Sequence, residues 1–175
     1  KWEREQLLKR QPEWRVARSN SGPNIFYAQV EGNINKGGWL GFFNTTENCK
    51  KGALIFQINT DKVDNLDALK DKNVNASWNG KILPVKMRAS KKFPSTIGAM
   101  MEVTVSNVKD ILRVHRDDKF IEMKLLDTDT ISVDDYFDKP SNFWSLAGMK
   151  DALIKLVGLC ALNTQQAKVA KEEPK

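Results

Sequence analysis

From Trp14 to Thr60 the chain is a succession of strand-length runs, each closed by residues that favour turns. WRVAR, IFYAQVEG, WLGFFNTT and ALIFQINT are rich in aromatic and β-branched side chains, and SNSGPN, NINKGG and ENCKKG separate them. Gly and Asn accept positive φ and Pro23 fixes its own, so the separators act as turns by mechanism. Links this short join antiparallel neighbours. Most of the chain must therefore fold as an antiparallel β domain.

The same grammar continues further on. VNASWNG and KILPVKMR meet around Asn79 and Gly80, a pair suited to a tight hairpin. In the second run Leu83, Val85 and Met87 are expected to face inward and Lys86 and Arg88 outward, with Pro84 indicating an edge strand. IGAMMEVTVS and FIEMKLLD read as strands. Between them Ser106 is placed to cap a short helix on which Val108, Ile111, Leu112 and His115 share a side. Residues 61 to 71 read as a loop or a single helical turn.

Helical periodicity is clear in one long stretch, SLAGMKDALIKLVGLC, residues 145 to 160. Leu146, Met149, Leu153, Leu156, Val157 and Cys160 recur three and four apart, opposite Lys150, Asp151 and Lys155, with Ser145 positioned as the cap. The opening KWEREQLLKRQ suggests a short helix, a stalk or lid over residues 1 to 12. The organisation expected is thus that segment, one β-rich domain over residues 13 to 160, and a flexible tail over 161 to 175. At 175 residues one domain has room for an ordinary core. The fold class expected is mainly β (α+β): an antiparallel sandwich with an N-terminal helix, one short central helix and a C-terminal helix tied by a disulfide between Cys49 and Cys160.

The chain has two cysteines, Cys49 in a turn and Cys160 on the buried face of the last helix. In an oxidising compartment they would pair; in a reducing one they would be a buried hydrophobe and an unrelated thiol. The sequence begins at Lys1 rather than Met, which is compatible with a signal peptide or membrane anchor upstream.

Net charge is +6, unevenly spread. Lys81, Lys86, Arg88, Lys91 and Lys92 place five cations in twelve residues, whereas residues 117 to 138 hold eight acids against Lys119 and Lys124. A basic strand steers acidic partners, or simply guards a sheet edge. With Trp78 as an aromatic anchor, these five residues form the candidate binding set. A single histidine and two cysteines make no zinc set. No phosphate loop, nucleophile elbow or dinucleotide fingerprint occurs. The pairs Asp117–Asp118 and Asp134–Asp135 do not converge by spacing on a strand, which disfavours a hydrolase dyad or calcium site. His115 reads as structural. No catalytic residue, metal or cofactor is assigned.

Trp14 in WRVARSNSG, the cysteine in ENC and the ending FWSLAGMKDALIKLVGLC resemble small exported bacterial proteins of the invasion-associated locus B family and type VI secretion accessory proteins. The pattern rests on Ser145, Leu146, Gly148, Ala152, Leu153 and Cys160. The resemblance implies a periplasmic β-sandwich with a disulfide and supplies no catalytic residues. The functional expectation is a non-enzymatic periplasmic or extracellular module, secreted or membrane-anchored, that contacts a protein or an anionic envelope polymer. The alternative is a basic single-stranded nucleic-acid binder that stacks bases on Trp78 and Phe93.

Overall fold

A computed structural model describes residues 13–35 and 37–172. The expected N-terminal helix over residues 1 to 12 lies outside the described residues, as do residues 173 to 175 of the tail.

Nine strands follow the turn grammar: β1 (Arg15–Arg18), β2 (Ile25–Glu31), β3 (Trp39–Thr45), β4 (Asn48–Thr60), β5 (Val74–Trp78), β6 (Lys81–Lys92), β7 (Ile97–Asn107), β8 (Phe120–Leu126) and β9 (Ser141–Ser145). Two α-helices complete the described chain, α1 (Val108–Val114) and α2 (Met149–Glu172). All eight pairings are antiparallel, and the order is β1-β2-β3-β4-β7-β6-β5-β8-β9. The strands thus form one curled sheet, where the sequence suggested a sandwich of two layers.

Two irregularities help bend the sheet. Register shifts fall between Leu54 and Ile55 on β4 and between Met87 and Ala89 on β6, and both strands flank β7. An extra residue on one strand kinks it and sharpens its twist. The curl brings distant strands into contact: Phe56 of β4 and Trp144 of β9 lie 5.6 Å apart by ring centroid. Trp78 of β5 joins both, at 6.1 and 6.0 Å. Phe26, Ala28, Val30, Leu40, Phe42, Ile58, Met101, Ile121 and Met123 continue this single core.

The two ends of the strand order are joined by polar contacts. Trp14 Nε1 donates to the Ser145 carbonyl at 3.0 Å, and the Asn33 amide donates to the Phe143 carbonyl at 3.1 Å. Asn142 of β9, 1% exposed, is the centre of this seam. Its Oδ1 accepts from the Ile34 and Asn35 amides at 3.1 and 3.2 Å, while its Nδ2 donates to the Asn35 and Gly38 carbonyls. A Cβ on Gly32 would sit 2.2 Å from the Asn142 amide, so no larger residue fits there without displacing it.

α2 lies across β1–β4 and buries most of the face its periodicity specified, Met149, Leu153, Leu156 and Cys160, with Ala152, while Val157 is half-buried. Lys150, Asp151 and Lys155 are exposed. The disulfide Cys49–Cys160 fastens this helix to β4, with Cα atoms 5.6 Å apart.

Several boundaries differ from the sequence reading. Ser145 ends β9 instead of capping the helix; its Oγ accepts from the Ala147 amide at 3.1 Å. Gly148, at φ +83, turns the chain into α2, which starts at Met149. Positive φ is where glycine is favoured. Past Cys160 the helix continues to Glu172, beyond the point where the apolar stripe ends and a flexible tail was expected. Cys49 sits within β4 rather than in the preceding turn, because the ladder with β3 resumes at Asn48. Asn107, not Ser106, occupies the N-cap position of α1, and makes no capping side-chain bond.

Candidate functional site

β6 carries the basic set, but it is not an outer strand. In the sheet order it lies between β7 and β5. The edge character indicated by Pro84 survives in another form. Lys81–Trp78 through Val85–Val74 pair with β5, whereas Lys86 through Lys92 pair with β7. Among the described strands each half of β6 is therefore paired on one side only. Pro84, which has no N–H to give, lies just before the point where the strand changes partner.

The expected alternation holds through the middle of the strand. Val85 and Met87 are buried, Leu83 is half-buried, and Lys86 and Arg88 are exposed. Arg88 is the residue skipped by the β6–β7 register, and a bulge re-aims the side chain it inserts. Its Nε lies 3.6 Å from Glu102 Oε1 on β7. Lys91 is exposed, with Nζ 5.5 Å from the centroid of the half-buried Phe93 ring. Lys92 is exposed, and so is Lys81, but Lys81 stands at the opposite end of a twelve-residue strand. Lys81 pairs with the buried Trp78 and Lys92 with the buried Ile97, so both start from the face opposite Lys86 and Lys91, which pair with Glu102 and Gly98. The structure thus groups Lys86, Arg88 and Lys91 on the side of Glu102, and leaves Lys81 and Lys92 apart.

Trp78 does not belong to the surface set. It is 6% exposed and its ring contacts Phe56, Trp144 and the His115 ring. The reason is the period-two phase of β5: Val74, Ala76 and Trp78 share a face, and all three are buried. An anchor at this position would have to leave the core.

Two lysines not singled out by the sequence join the β6 group. Where β6 changes partner, a cleft of about 500 Å³ opens, lined by Lys70, Lys72, Lys86 and, on the acidic side, Asp71 and Glu102. Lys72 is held by a bond from Nζ to the Thr130 carbonyl at 3.3 Å, and Lys70 pairs with Asp67 at 3.3 Å. Only the topology brings the loop before β5 beside the middle of β6.

A second cleft, of about 430 Å³, lies between α1 and the start of α2. His115 lines it and is 7% exposed, with Nδ1 3.0 Å from Asp118 Oδ2. Asp117 points elsewhere, toward Arg116 at 3.9 Å, so the adjacent acids diverge. Asp134 and Asp135 lie on a single 3-10 turn at Val133–Asp135. No helix among the described residues is long and apolar enough to cross a membrane.

Comparison with protein-family models, with curated proteins and with solved structures found no match.

Proposed function

We propose that the chain is a non-enzymatic binding or accessory module of an oxidising, extracytoplasmic compartment, the bacterial periplasm in the first instance. It engages an acidic protein or an anionic envelope polymer through the outer side of β6. The observation that carries this reading is the exposed cation group Lys86, Arg88 and Lys91, with Lys72 across the adjoining cleft. Against it stand Glu102 and Asp71, so the local balance favours an anion. Exposed charges of one sign raise encounter rates with an oppositely charged partner more than they deepen affinity. The Cys49–Cys160 bond is compatible with the proposed compartment, because thiols of cytosolic proteins are kept reduced.

The nucleic-acid alternative needs aromatic faces on which bases stack. Trp78 is in the core and Phe93 is half-buried beside Lys91, which weakens it. Binding of the protein to polyglutamate and to single-stranded DNA across a salt series tests the proposal. The expected result is low-salt binding to polyglutamate that weakens steeply as salt rises, with no preference for single-stranded DNA over duplex. No binding to polyglutamate at low salt would overturn it, and tight binding selective for single strands would establish the alternative.

A further inference from the structure

The cleft between α1 and α2 is unrelated to β6, none of whose residues lines it. Its volume of about 430 Å³ falls within the range typical of small-molecule sites, roughly 300–1,000 Å³. Four cations stand on its walls, Lys109, Arg113, Arg116 and Lys150, and one carboxylate, Asp118. That carboxylate is engaged by His115. Since a carboxylate accepts and does not donate, the proton in the 3.0 Å contact belongs to His115 Nδ1. Arg113 and Arg116 make only exposed contacts, with Asp110 at 3.3 Å and Asp117 at 3.9 Å. Lys109 and Lys150 have no acidic partner among the described residues and are exposed.

The rest of the lining is apolar: Leu112, Leu146 and Met149, of which the last two are buried. A cationic rim over an apolar floor, with a nearly buried imidazole beside it, suits a ligand with an anionic head and a hydrophobic body. Four cations stand against Asp118 in the cleft and the exposed Asp110 and Asp117 beside it, which leaves an excess of positive charge for an anionic head, and arginine forks match phosphate oxygens two at a time. We infer that the cleft formed by Lys109, Arg113, His115, Arg116 and Lys150 over Leu112, Leu146 and Met149 binds a small organic phosphate monoester. The phosphate sits among the cations and the apolar body rests on the floor. This site is independent of the β6 proposal and stands or falls without it.

The protein contains one histidine, so one imidazole resonance reports directly on the cleft. Phenyl phosphate titrated into the full chain is expected to shift the His115 ring signal saturably, with half-saturation at about 1 mM or below. Inorganic phosphate and phenol are each expected to bind at least about tenfold more weakly, since each offers only half of the chemistry. Lys109→Gln with Lys150→Gln should weaken phenyl phosphate about tenfold or more, while Lys155→Gln, which removes a cation from α2 outside the cleft, should not. The inference is overturned if the His115 signal does not move up to tens of millimolar, if the double variant binds as tightly as the parent, or if inorganic phosphate binds as well as phenyl phosphate.

Discussion

Single residues hold this molecule closed at two points. At the first, Cys49 and Cys160 are bonded across a sequence separation of 111. Closing a loop of about a hundred residues restricts the unfolded chain by about 4.7 kcal/mol in the chain-entropy picture. A thiol count under denaturing, non-reducing conditions is expected to return none, and replacing both cysteines with serine should cost about 3 to 5 kcal/mol by chemical denaturation. At the second, Asn142 accepts from and donates to the Ile34–Gly38 loop and is almost fully buried. Asn142→Ala would take the side-chain acceptor from the Ile34, Asn35 and Phe143 amides, at about 1 to 3 kcal/mol each, while the Asn35 and Gly38 carbonyls keep other donors. A loss of about 3 kcal/mol or more is expected, with Gly32→Ala comparable because its Cβ would strike the same amide. Asn142→Ala at parental stability would show that the seam closes by other means. The cysteine pairing was readable because the chain has no third cysteine. The role of Asn142 was not: one asparagine after a proline looks like a loop until the loop it serves is folded onto it.

At the scale of elements, the periodicities were legible and the ends were not. The apolar stripe on α2 marked the buried residues, so Leu153→Ala should cost about 2 to 5 kcal/mol, as for other core leucines. Lys155→Ala, on the exposed side, should stay within about 0.5 kcal/mol. Comparable small losses at both would mean that α2 adds little to the core. β9 escaped notice because SNFWS is five residues long and runs into the helix, so its alternation has little room to show. Trp78 was misplaced for a different reason. Val74 and Ala76 already fixed the phase that turns it inward, but an aromatic beside a basic run resembles an anchor. Local pattern located the strands, whereas which strand lies beside which depended on long-range packing, and β6 moved from the rim to the interior of the order accordingly.

For the whole molecule, curling is what converts sequence clusters into surfaces. Strand register sets Lys81 and Lys92 on the face opposite Lys86 and Lys91, and the curl adds Lys72 from the loop before β5. It also places His115 and Asp118 beside the start of α2, a juxtaposition with no trace in linear spacing. The central claim is that the Lys86–Lys91 stretch of β6 is the contact surface for an acidic partner. The most direct measurement is the association rate with immobilised polyglutamate at low salt, for the parent, for Lys86→Glu with Arg88→Glu, and for Lys81→Glu. The double reversal is expected to slow association about tenfold or more, an effect that shrinks as salt is raised, with an unfolding midpoint lowered only modestly by the new carboxylates beside Glu102. Lys81→Glu, at the far end of the strand, is expected to change the rate much less. Equal rates for the parent and the double reversal would contradict the account and leave the cations of β6 as guards of a partly unpaired strand.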